Sequence, residues 1–166
     1  MKIYEAQGNP ADADCLVGHS FGSSIGNGSV NHQLGVMLLS LAESRPLIAD
    51  RTLVNALPDG DSHMAHIVEG PTTNMRAQGV GTWGTWLGAQ QYMEEHELDK
   101  PMVIAQAYHL PRVVRQGAKL RITSIVPENL PTDFDKESDQ LWTRSPYLWV
   151  PINALGSFLL KNRGQL

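Results

Sequence analysis

The sequence predicts an α/β fold: a single doubly wound, mostly parallel sheet, Rossmann-like and three-layered, with helices on both faces. Three observations predict it. Short apolar runs near 14–18, 47–50, 65–69, 102–107 and 122–126 have the length and near-unbroken hydrophobicity of strands buried on both sides. Helical patterns alternate with them, as in a succession of βαβ units. No internal repeat or linker interrupts the 166 residues, so the chain reads as one domain, with a core at about 13–126 and a final helix at about 147–163.

The first twelve residues contain Gly8-Asn9-Pro10, a turn signal, and form an arm before the first strand at 14–18. Gly and Ser crowd residues 21–29, a composition that lets backbone N–H groups approach a ligand. A helix follows over 31–44, because Leu34, Met37, Leu38 and Leu41 recur at i, i+3, i+4 and i+7 and Arg45-Pro46 ends it. The second strand starts at Leu47, and 51–57 fits either helix or strand. After the Pro58-Asp59-Gly60-Asp61 turn comes a third strand at 65–69, then a loop over 70–84 long enough to suggest a function. Residues 85–98 read as a helix with Trp86, Ala89 and Met93 on its buried side. Trp83 and Trp86 bracket the loop–helix junction as core or pocket wall. The fourth strand, 102–107, runs into a helix opened by Pro111. A fifth strand at 122–126 precedes an acidic surface excursion over 127–143. The last helix carries Leu148, Ile152, Leu155 and Leu159 as its apolar stripe and stops at Gly164. It is too short to span a bilayer.

Composition excludes several classes of function. Net charge is −4 and no Lys/Arg run exceeds two residues, which argues against a nucleic-acid partner. The single cysteine, Cys15, rules out an internal disulfide and a thiolate-rich metal site, and its place in an apolar strand makes it a small buried hydrophobe. Glu5 and Asp12 in an N-terminus without a long apolar run argue against a signal peptide or anchor, so the expected location is cytoplasmic, with no membrane partner. A homodimer is compatible with these features. The six histidines show no metal-ligand spacing; His63 and His66 lack a carboxylate cluster nearby.

Candidate chemistry gathers where the fourth strand empties into its helix. Ligands in open α/β sheets sit at that edge. Arg112 stands in the first helical turn, where a cation opposes the helix dipole. An anion bound by the guanidinium and the free N–H groups of the helix start would remove the conflict. The plain alternative is an arginine that bends into solvent. His109 next to it favours the functional reading and would act as general acid/base near its ordinary pKa of about 6.5.

These residues also carry a resemblance. A strand ending in His109-Leu110-Pro111-Arg112 resembles the late motif of the YdcF-like family, the SanA and ElyC group of bacterial proteins of poorly defined function. The stretch His66-Ile67-Val68-Glu69-Gly70-Pro71-Thr72-Thr73-Asn74 is similar to the family's Glu followed by a Thr/Asn-rich loop. Ala13-Asp14-Cys15-Leu16-Val17-Gly18 resembles its Asp before the first strand. The likeness covers roughly 13–125. Two places depart: Ala49-Asp50-Arg51 stands where the family has a Ser-Gly-Gly turn, and Asn31-His32-Gln33 where it has an Arg. Lost substrate-binding groups there would imply a different ligand. Several family members are membrane-anchored, and this chain reads as the soluble domain alone.

Gly18-His19-Ser20-Phe21-Gly22 is a literal G-x-S-x-G after a strand, the form of a nucleophile elbow with Ser20 attacking. Too few strands precede it, a glycine-rich loop follows where an elbow leads into a helix, and Asp50 alone offers a post-strand acid before His109. The preferred reading is a cleft for a phosphorylated or nucleotide-like small molecule, with hydrolysis or transfer of its anionic group. In the commonest doubly wound order, strands one and four are neighbours and the sheet reverses between them. That brings the 18–29 loop, with Gly18, Ser20 and Asn27, to the His109/Arg112 helix start, and lets the 70–84 loop fold over with Thr73 and Asn74. Arg112 would neutralise the anion and His109 would move protons. Glu69 would activate or orient the nucleophile, accept a ribose hydroxyl, or merely cap the next loop. Asp14 would hold the glycine loop or a divalent ion such as Mg²⁺. The alternatives are a non-catalytic module binding a nucleotide or S-adenosylmethionine-like ligand, and a serine hydrolase using Ser20.

Overall fold

The computed structural model describes residues 3–58, 66–68 and 81–162, with side chains to 158. The elements run β1 (Cys15–Gly18), α1 (Val30–Ala42), β2 (Leu47–Asp50), α2 (Arg51–Asn55), β3 (His66–Val68), α3 (Gly81–Glu95), β4 (Pro101–Ile104), α4 (Leu110–Lys119) and α5 (Pro146–Asn162). The four described strands are all parallel, in the order β3-β2-β1-β4. The fold is a three-layer α/β sheet, as the sequence predicts, and β1 and β4 are neighbours with the reversal between them.

The apolar runs become central strands because both faces are covered. α1 and α2 pack on one face, and α3 and α4 share the other. Every residue of β1, β2 and β4 is buried. Close approach of the layers sets two glycines. A Cβ at Gly18 would lie 2.6 Å from Leu53 and 2.7 Å from Leu38, and one at Gly88 would lie 2.5 Å from Val68. The segment 51–57, open between two readings from sequence, is helical at Arg51–Asn55 because Asp50 caps it, accepting the Leu53 N–H at 3.1 Å.

Two expectations are corrected. The fifth strand at 122–126 shrinks to isolated bridges: Met102 pairs parallel with Ile125, and Val126 turns to pair antiparallel with Gln7. Arg121 in the left-handed region before it (φ 63°) and Pro127 after it leave no room for a longer ladder. The acidic 127–143 stretch lies at the surface, with Glu128, Asp133, Glu137 and Asp139 exposed, and is pinned there by the buried Ser138 and Thr143. Finally, the stripe expected to bury α5 faces outward, with Leu148, Ile152 and Leu155 exposed, while Trp149 enters the core. No described helix is long and apolar enough to cross a membrane.

Candidate functional site

Side chains alternate across a strand, and that period builds the site's floor. Gly18 faces the α1/α2 layer, so the next residue, His19, faces the α3/α4 layer. Its N–H donates to the Ile104 carbonyl at 2.9 Å, extending the β1–β4 ladder by one residue. The imidazole packs on Trp86 of α3, ring centroids 5.1 Å apart. Trp86 is itself fixed, because its indole N–H donates to the Val113 carbonyl at 2.8 Å and its ring lies against Gly117. His19 therefore sits at the C-terminal end of the sheet on a rigid aromatic base.

Above it lies a cleft of about 160 Å³ lined by His19, Ser20, Asp50, Thr82, His109 and Arg112, and roofed by Trp149. α5 supplies the roof. Trp149 donates its indole N–H to the Tyr108 carbonyl at 3.3 Å, meets the His109 ring edge-on at 5.4 Å, and lies 5.4 Å from the Arg112 guanidinium carbon. Thr82, in the first turn of α3, joins the two polar residues. Its hydroxyl is 3.1 Å from His109 Nε2 and accepts from Arg112 Nη2 at 3.4 Å. Arg112 can only donate, so the Thr82 proton is free for Nε2, and in that arrangement His109 Nδ1 carries the N–H.

Four nitrogens of the cleft have no hydrogen-bond partner among the described residues: both ring nitrogens of His19, His109 Nδ1 and Arg112 Nε. Each orphan costs about 1–3 kcal/mol, so the set is a substantial destabilisation concentrated at one edge. Burial pushes His19 down to about 3, helped by the Arg112 charge. Burial also holds His109 well below the ordinary histidine range, with Arg112 and His19 adding to the effect. Both are neutral at pH 7, which corrects the expectation of an unshifted His109: it can accept a proton or share an N–H, but it does not arrive charged. Burial and the neighbouring Arg115 lower Arg112 to about 10, so it remains a cation. No carboxylate pairs with it among the described residues.

The expected anion cradle at the start of α4 is absent, because another side chain already fills it. Gln106 Oε1 accepts from the Tyr108 and His109 N–H groups at 2.8 and 3.1 Å, and the Gln106 carbonyl accepts from Leu110 N–H at 3.0 Å. Pro111 has no N–H, and those of Arg112 and Val113 reach the His109 carbonyl. The Gln106 amide is anchored in turn on the Thr132 and Asp133 carbonyls. Any anion here is held by side chains.

The glycine-rich loop is pinned the same way. Asn31, which stands where the resembled family has an arginine, is buried; it accepts the Phe21 N–H at 2.7 Å and donates to the Ser24 carbonyl at 2.9 Å. Gly22 is left-handed (φ 78°) and lies where a Cβ would meet Ser138 and Thr143 at 2.9 and 2.8 Å. Asp50 holds the rim, accepting the Ser20 N–H at 2.9 Å. Burial raises Asp50 above the usual carboxylate range, against the hydrogen bonds from Ser20 and Leu53. No histidine nitrogen bonds to Ser20 among the described residues, so the Ser-His-acid geometry is not there.

Of the expected site residues, His109, Arg112 and Ser20 meet in the cleft. Gly18 lies beneath it as a packing glycine. Asn27 is exposed, in a separate surface depression with Asp133 and Asp135. Asp14 is at the opposite end of β1, its carboxylate accepting the Asp99 N–H at 2.8 Å and the Lys100 N–H at 3.1 Å. Partial burial raises its pKa and those bonds outweigh it, leaving it below the usual carboxylate range. It ties β1 to the start of β4 and cannot reach the cleft. Glu69, Thr73 and Asn74 lie outside the described residues. Among the described residues no group of three His, Cys, Asp or Glu could hold a metal ion. Sequence reasoning missed His19, Thr82, Gln106 and Trp149. For His19 the signal was present: the residue after a glycine at a strand's C-terminal end must face the opposite layer.

No family model, curated protein or solved structure matches the chain.

Proposed function

We propose that the cleft binds the anionic group of a small phosphorylated molecule, in a protein of the YdcF-like kind. The observation that carries this reading is Arg112: a largely buried cation with a partnerless Nε and no carboxylate partner among the described residues, in a cleft it shares with His109, whose Nδ1 is also open. A phosphoryl group offers acceptors to both. At about 160 Å³ the cleft is smaller than the ~300–1,000 Å³ of pockets that enclose drug-sized ligands, so it takes the charged head with the atoms next to it and leaves the remainder outside. A bound anion would raise the His109 pKa, and with Nδ1 carrying its N–H the one place for a further proton is Nε2, by way of the Thr82 hydroxyl.

One observation favours a binding module without chemistry: among the described residues Ser20 at the β1 rim has no histidine partner, and its backbone N–H goes to Asp50. Turnover of p-nitrophenyl phosphate separates the two readings. The anion site itself is tested by titrating inorganic phosphate into wild type and Arg112→Lys. The variant keeps the charge and loses the planar fork, so phosphate affinity should fall by about tenfold or more with the melting temperature nearly unchanged. Equal affinity in the two proteins would make Arg112 a structural residue.

A further inference from the structure

We infer that His19 is a ligand-binding residue and that it selects anions carrying a hydroxyl beside the charged group, a phosphorylated polyol or sugar in preference to a bare anion. This rests on the anion reading of the cleft. His19 is 1% exposed, lines the cleft, and has neither ring nitrogen bonded among the described residues. A neutral imidazole presents one N–H donor and one bare acceptor. Arg112 presents donors alone, and His109 has one nitrogen already engaged by Thr82. A fully ionised phosphate oxygen satisfies donors and leaves the His19 acceptor empty. A hydroxyl can donate as well as accept, so a hydroxyl on the ligand closes the bare His19 nitrogen, which no ionised phosphate oxygen can do.

Position supports the assignment. His19 forms the floor on Trp86, and Arg112 and His109 come from α4 on the same layer. A ligand whose phosphoryl group reaches Arg112 brings its first carbons over the floor. Ser20, the residue the G-x-S-x-G pattern singles out, turns instead to Asp50 at the rim. A trapped water is the competing occupant for the His19 nitrogens.

The test compares inorganic phosphate, methyl phosphate and glycerol 3-phosphate by calorimetric titration at pH 7.5. Wild type should bind glycerol 3-phosphate about tenfold more tightly than methyl phosphate. His19→Leu should erase that preference, so that glycerol 3-phosphate binds no more tightly than methyl phosphate, and His19→Gln, with a donor and an acceptor, should restore part of it. Nitrogen-15 imidazole spectra of the wild type add a readout that needs no variant: the resonance of the unprotonated His19 nitrogen should move with glycerol 3-phosphate and not with methyl phosphate. Methyl phosphate binding with no preference in wild type, or a preference that survives His19→Leu, overturns the role of His19 and leaves the anion site standing. No binding of any of the three overturns both.

Discussion

The two ends of the β1–β4 pair are built on opposite principles. At the N-terminal end, Asp14 closes every gap it faces: its carboxylate takes the Asp99 and Lys100 N–H groups, and its pKa falls accordingly. At the C-terminal end, a few residues along the same strands, His19, His109 and Arg112 leave four buried nitrogens open and have pKa values pushed away from their charged forms. One end is optimised for the fold. The other holds polarity that the described fold does not use, which is the pattern expected where stability gives way to function.

The largest effect should come from removing the support of the open end. Trp86 is fully buried beneath His19, so Trp86→Ala should cost about 3–5 kcal/mol in chemical denaturation and release the His19 ring. A cost below 1 kcal/mol would mean that the floor is not rigid. At the closed end, Asp14→Ala removes a solvent-touched acceptor of two N–H groups and should cost about 1–2 kcal/mol, leaving phosphate affinity unchanged. Any loss of phosphate binding in that variant would couple ends that the structure keeps apart.

Acidity separates the two ends. His19 has a folded pKa of about 3 against about 6.5 unfolded, so the unfolded state binds the proton first. The stability His19 contributes is intact above pH 6.5 and is lost as pH falls toward 3, by about 1 kcal/mol at pH 5.5. His109 shifts in the same direction and adds to the loss. Asp14 begins to cost stability only as pH falls below its unfolded value of 3.8. Asp50 works the other way, since its raised pKa favours the fold as pH falls toward 3.8. Subtracting the His19→Leu curve from wild type cancels Asp50 and Asp14. The difference between pH 7.5 and 5.5 should be about 1 kcal/mol, and a flat difference would mean that His19 is solvated.

The smallest effect has the more telling sign. His19→Leu replaces two orphaned nitrogens with apolar surface of similar size, and should stabilise the protein by up to about 1 kcal/mol at pH 7.5. Destabilisation would point to a satisfied histidine.

The same contrast explains what could be read from the sequence. The buried strands, their order and the α1 stripe were legible because burial on both faces leaves unbroken apolar runs and helical spacing leaves a period. His109 and Arg112 were legible because a strand emptying into Pro111 marks the ligand edge. The helix start was misjudged because closing its N–H groups takes a side chain, Gln106, that looks from sequence like part of the strand. Asp14 was misjudged because a carboxylate beside a strand reads the same whether it binds backbone or substrate. Trp149 and the buried Ser138 and Thr143 were hidden by distance along the chain, since the α5 stripe that periodicity selects is the exposed one.

The central claim is that the open nitrogens of Arg112 and His109 await an anion held by side chains. Crystals grown with phosphate, or soaked with tungstate, test it most directly. The account predicts the anion inside the cleft, with oxygens within about 3.2 Å of both Arg112 Nε and His109 Nδ1 and with Gln106 still capping α4. An empty cleft at saturating anion, Arg112 paired with a carboxylate of the chain, or an anion seated on the α4 N–H groups with Gln106 displaced would contradict it.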